Sequence, residues 1–134
     1  MSAQRIGKAR VTSYTPAEAQ QASAKAMSEA ELRNAVIDCA KANGWHCYYV
    51  HDSRVWIVDK AGNRRMGQMD VRSDKGFPDL SLSRDGETLF RELKREGERP
   101  TPEQQAWGDA MGSLWKVWKP TMWLDGTIER ELGR

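Results

Sequence analysis

Apolar residues first fall into a clear rhythm at Leu32, Val36, Cys39 and Ala40, a spacing that predicts an amphipathic helix. Ser28-Glu29-Ala30-Glu31 in front of it is a capping box, with Ser28 at the N-cap, and Gly44 supplies the stop. Trp45 to Val50 is aromatic and rich in strand formers, so a strand is expected there. Val55-Trp56-Ile57-Val58 predicts the first arm of a hairpin turning at Lys60-Ala61-Gly62-Asn63. Two further strands are expected over 79–83 and 88–94. Thr101-Pro102-Glu103-Gln104 opens a helix that ends near Gly112. Trp115 to Trp118 reads as a last strand, with a short helix from about Thr127. The order α, β, hairpin, α, β predicts an α/β domain.

Upstream, Thr15-Pro16-Ala17-Glu18 is another helix start. The segment after it is rich in Ala, Gln and Ser and has almost no large apolar residue, so a helix there has little with which to pack. Residues 1–27 are therefore read as a flexible or weakly helical extension, and 28–134 as the folded domain. Arg5, Lys8, Arg10 and Lys25 stand in the extension against Glu18 alone. Such a basic segment is either a solvated tail or a contact to nucleic acid by charge.

Composition narrows the class. The chain has 134 residues, 39% hydrophobic and 30% charged, with a formal net charge of +2. That is the balance of one folded domain, not of a disordered chain. No apolar run approaches the ~18 residues of a membrane span, and no apolar stretch follows the first basic residues as in a secretory signal. The two cysteines, Cys39 and Cys47, lack metal-type spacing, so a reduced, cytoplasmic protein is expected. Zinc modules and disulfide scaffolds are excluded on the same ground.

The chemistry concentrates around Asp85-Gly86, a strong two-residue hairpin signal. With that pair in the turn, Arg84 faces Glu87, Leu82 faces Leu89, and Asp79 faces Glu92. Facing residues share a sheet face, with Cβ atoms roughly 4.5–5.5 Å apart. Lys94 shares the face of Glu92, whereas Leu80, Leu82, Leu89 and Leu93 take the other, buried one. Two facing carboxylates cost a strand pair up to ~1 kcal/mol. A hard divalent cation reverses that sign, because Mg²⁺ takes one or two carboxylates and completes its shell with water and phosphate oxygens. The competing reading is a Lys94–Asp79 salt bridge on a solvated face.

Several segments carry a resemblance: Gly76-Phe77-Pro78-Asp79-Leu80, Phe90-Arg91-Glu92-Leu93-Lys94, the acidic start of the first helix, and Gly44-Trp45. His51-Asp52-Ser53-Arg54 and Thr101-Pro102-Glu103-Gln104 with Trp107 belong to the same set. Together, over about residues 28–124, they resemble the VRR-NUC family of the PD-(D/E)xK nuclease superfamily, including its small phage and bacterial members. The stretch 55–72 is longer than the family usually carries, and residues 113–115 lack the glycine often seen before the last strand.

The resemblance implies a restriction-endonuclease-like mixed sheet flanked by helices. It implies that Asp79, Glu92 and the backbone carbonyl of Leu93 ligate Mg²⁺, for which Mn²⁺ substitutes, with no small-molecule cofactor. Lys94 would orient or help deprotonate the attacking water, and Gln104 sits at the position of a site-associated glutamine, although Thr101-x-x-Gln104 is equally a capping box. The implied reaction is hydrolysis of DNA, branched DNA or Holliday junctions in particular, by a homodimer in a bacterial or phage-infected cytoplasm. His51, Ser53, Arg54, Arg72 and Lys75 are candidate phosphate contacts. Glu29 lies on the inward stripe of its helix, so it is either a further metal contact or a charge favoured by the helix dipole. A DNA-binding module without catalysis and a restriction-type nuclease reading duplex sequence are the rival readings.

Overall fold

A computed structural model describes residues 3–6, 9–50, 54–68 and 73–134, with side chains over 13–50, 57–67 and 73–134. Strands β1 (Ala3–Ile6) and β2 (Ala9–Thr12) pair antiparallel. Helices α1 (Pro16–Ala26) and α2 (Glu29–Ala42) follow, then β3 (His46–Tyr49) and the hairpin β4 (Arg54–Val58) and β5 (Arg64–Gln68). Next come β6 (Leu80–Arg84), β7 (Glu87–Leu93) and α3 (Pro102–Met111). A single 3₁₀ turn leads into β8 (Trp115–Trp118), α4 (Pro120–Leu124) and α5 (Thr127–Leu132).

The main sheet has the order β3-β6-β7-β8, antiparallel except for the parallel β7–β8 pair. It is a mixed four-stranded sheet flanked by helices. On one face Leu80, Leu82, Leu89, Leu93 and Trp118 pack against Leu32, Val36 and Ala40 of α2 and Ile128 and Leu132 of α5. On the other, Phe90 meets Phe77 edge to face at 5.9 Å, and Phe77 meets Trp107 of α3 at 5.1 Å. Strand β7 is thus covered on both sides. Among the described residues no helix is long and apolar enough to cross a membrane.

Local signals translate directly into local structure. The Ser28 hydroxyl accepts from the Glu31 amide at 3.0 Å, and the Glu31 carboxylate accepts from the Ser28 amide at 3.3 Å. Asp85 and Gly86 take φ of 50° and 80°, as a tight hairpin turn needs. The register that follows pairs Arg84 with Glu87, Leu82 with Leu89 and Leu80 with Arg91.

Three features differ from expectation. The segment expected to hold on loosely contains a regular helix, α1, whose Ala24 is fully buried; small side chains let it lie close to α4. A second short helix, α4, begins at Pro120 because Glu96 accepts from the Thr121 amide at 2.7 Å. Arg91 lies buried on the leucine face, its guanidinium 4.9 Å from the Trp118 ring and paired with Glu131.

Candidate active site

The Gly76–Asp79 loop is shaped by its contact with α3. Gly76 has φ of +94°, and a Cβ there would lie 2.6 Å from the Glu103 carbonyl carbon and 2.7 Å from the Gln104 nitrogen. Only glycine allows that approach. Phe77 then wedges between Phe90 and Trp107, Pro78 is fully buried, and Asp79 emerges at the start of β6. Gly76→Ala is accordingly expected to destabilise the fold by about 2–3 kcal/mol, read as a lowered urea midpoint with unchanged slope.

Asp79 is held from both sides. Its carbonyl accepts from the Val50 amide at 2.9 Å, and its Oδ2 accepts from the Leu93 amide at 2.9 Å. That second bond sets Asp79 beside Glu92, as continuation of the hairpin register requires. Lys94 is anchored by its own amide, which donates to the Trp118 carbonyl at 3.1 Å. Its Nζ lies 3.8 Å from Glu92 Oε1.

The environment of Glu92 sets it apart from an ordinary surface carboxylate. The residue is 1% exposed, and its Oε2 is buried with no hydrogen-bond partner among the described residues. Burial foremost, then the Asp79 charge and a carboxyl–carboxylate hydrogen bond with Asp79, pushes its pKa up to about 8, against the opposing pull of Lys94. Glu29, at the first position of α2, is raised too, by burial first and then by the Asp79 charge. Four predicted site residues, Asp79, Glu92, Lys94 and Glu29, therefore share one electrostatic neighbourhood. The solvated Lys94–Asp79 salt bridge is not formed: among the described residues the lysine's ion partner is the buried Glu92.

Among the described residues no three Asp, Glu, His or Cys side chains close into a cage able to hold an ion. Mg²⁺ does not need such a cage, since it binds through one or two carboxylates and keeps water or substrate phosphate in its remaining positions. The residues fit that demand. A buried carboxylate oxygen without a partner, beside a second carboxylate with one oxygen engaged, is a donor set that a hard cation completes. Leu93 meets Asp79 through its amide; the carbonyl was the atom expected at the metal.

The remaining predicted residues divide. The Gln104 side-chain oxygen accepts from the Thr101 amide at 2.8 Å, and the Gln104 backbone amide donates to the Thr101 hydroxyl at 3.2 Å; its side chain serves the cap. Lys75 is exposed, and its carbonyl accepts from Trp107 Nε1 at 3.0 Å. His51, Ser53 and Arg72 lie outside the described residues, as does the Arg54 side chain. Two charges near Glu29 went unpredicted: Glu98, which raises its pKa, and Arg33, which lowers it. Arg33 follows Glu29 by one helical turn, a spacing that could have flagged it; Glu98 sits in a loop with no periodicity to read.

No family model, curated protein or solved structure matches the chain.

Proposed function

We propose that this chain is a divalent-metal-dependent endonuclease that hydrolyses DNA phosphodiester bonds, with Asp79 and Glu92 as metal ligands and Lys94 as the catalytic amine. The single observation that carries the reading is a buried Glu92 Oε2 without a partner among the described residues, on a carboxyl group that adjoins Asp79 and lies 3.8 Å from a lysine ammonium. A structural ion pair would leave no such oxygen idle in a dry site, because an unmet buried acceptor costs about 1–3 kcal/mol. The mixed sheet flanked by helices and the motif resemblance agree with a restriction-endonuclease-like architecture.

In this reading a bound Mg²⁺ or Mn²⁺ supplies a lowered pKa for water and positive charge against the scissile phosphate. Asp79 contributes the oxygen not engaged by the Leu93 amide, and Glu92 contributes its unpartnered one. Glu29 faces the same space, in position for a water-mediated contact. Lys94 points its ammonium at the reacting phosphate, orienting the water and countering charge that grows on the phosphorane. The water oxygen gives up a proton to solvent as it bonds to phosphorus, the bond to the leaving sugar oxygen breaks, and that oxygen takes up a proton from solvent. One chain presents one acid pair, so paired cuts on branched DNA call for a homodimer.

The test is incubation of the purified chain with Mn²⁺ and a panel of linear, flapped, forked and four-way DNA. Metal-dependent cleavage that EDTA abolishes is the expected result, strongest on branched substrates. Binding without cleavage on every substrate would instead leave a DNA-binding module.

A further inference from the structure

The hairpin β4–β5 takes no part in the main sheet and forms a two-stranded sheet of its own. Every residue from Val58 to Met66 is exposed, and three of them are cations: Lys60, Arg64 and Arg65. The only acid in that stretch is Asp59, and it is used to build the turn. Its Oδ1 accepts from the amides of Ala61 and Asn63, both at 2.9 Å, and Gly62 closes the bend at φ +85°. These backbone donors, Asn63 foremost, hold the Asp59 carboxyl below its ordinary range. Among the described residues, no carboxylate forms an ion pair with Lys60, Arg64 or Arg65. The described tip thus carries three cations against one carboxylate that is committed to the turn.

A two-stranded ribbon is one of the shapes that the major groove of B-form DNA admits. Arg64 and Arg65 are neighbours on one strand, so they point to opposite faces of the ribbon. A ribbon entering the groove edge-on would turn one face, and so one arginine, to each phosphate wall, with Lys60 near the tip. In the sequence, Gly76, where the loop carrying Asp79 begins, follows eight residues after Gln68, the last residue of β5.

We propose that β4–β5 is an arm that enters the major groove of duplex DNA beside the cleavage site and grips its phosphates through Lys60, Arg64 and Arg65. The inference rests on the nuclease reading for its choice of polyanion and adds the duplex flank as part of the substrate. The test measures duplex DNA binding in EDTA across a salt series, for the wild type, for Lys60→Ala/Arg64→Ala/Arg65→Ala, and for the charge-keeping Lys60→Arg/Arg64→Lys/Arg65→Lys.

Every phosphate that the arm no longer neutralises lowers the log–log salt slope by about 1, so the alanine variant should bind more weakly on every sequence, with a slope smaller by about 2–3. The charge-keeping variant should bind like the wild type. An unchanged slope in the alanine variant, or a wild type that does not bind duplex DNA, overturns the arm. So does an equal loss on duplex RNA, whose major groove is too deep and narrow to admit a ribbon. Cleavage with Mn²⁺ is scored separately. A wild type that shows this salt signature yet cuts nothing overturns the nuclease and supports the arm.

Discussion

Replacing Asp79 with alanine or asparagine is expected to lower Mn²⁺-dependent DNA cleavage by about 10³-fold or more while leaving DNA binding in EDTA largely intact. The magnitude follows from removing one of two anionic ligands: several kcal/mol of transition-state stabilisation are at stake, and each 1.36 kcal/mol is about tenfold in rate. The pair of substitutions separates chemistry from architecture. Asp79 accepts from the Leu93 amide at 2.9 Å, a bond that alanine abolishes and that the asparagine carbonyl oxygen can still make. If the role of Asp79 is to pin the two strands, asparagine should restore most of the activity. If it is to carry charge to a cation, both variants should be equally inactive. Substantial Mn²⁺-dependent cleavage by the asparagine variant would rule out Asp79 as a metal ligand.

Glu92→Gln should have opposite effects on activity and on stability. In the metal-free protein the Glu92 pKa stands at about 8 against an ordinary value of 4.5, with burial and then Asp79 as the causes. The folded state thus holds its proton more tightly than the unfolded state does. The stabilisation is complete below about pH 4.5 and drains away as pH rises through 8, by an amount on the order of 5 kcal/mol. Glutamine is neutral at every pH, and its NH₂ can donate to Asp79 as the protonated acid does. The metal-free variant should therefore be more stable than the wild type at pH 8, and its stability should vary less between pH 5 and 8.

A divalent ion should act the other way. Binding requires the carboxylate, so Mn²⁺ should displace a proton from the wild type below pH 8 and raise its melting temperature. The glutamine variant should gain little from Mn²⁺ and should not cleave DNA. Thermal melts at pH 5, 6.5 and 8, with and without Mn²⁺, provide the measurement. A glutamine variant less stable than the wild type at pH 8 would mean that Glu92 is ionised and serves Lys94 as an ordinary ion partner.

Much of this geometry is legible in the chain itself, because it is set by short-range rules. Asp85 and Gly86 take the positive φ that a tight turn demands, and side-chain alternation then places Asp79 opposite Glu92 and Lys94 alongside. The same register puts Arg91 opposite Leu80, on the buried face, a signal present in the sequence but eclipsed by the leucines around it. Capping boxes at Ser28 and Thr101 likewise decide where α2 and α3 begin. The Thr101 box also shows the limit of motif reading, since one Gln104 side chain cannot be counted for the site while its oxygen serves the cap.

What the sequence by itself determined, then, is most of the elements from α2 onward, the register of the central hairpin and the convergence of two acids and a lysine at its open end. What only the tertiary structure decided is the environment of those groups. Alternation predicts which residues share a face, but not whether a second layer covers it. Here Glu92 is 1% exposed, so a carboxylate on the polar face of the hairpin is dry and holds its proton to about pH 8. The docking of α1, the capping of α4 by Glu96 and the Gly76–α3 contact are of the same kind. Each depends on residues far apart in the chain, and local propensity carries no information about which distant surface will arrive.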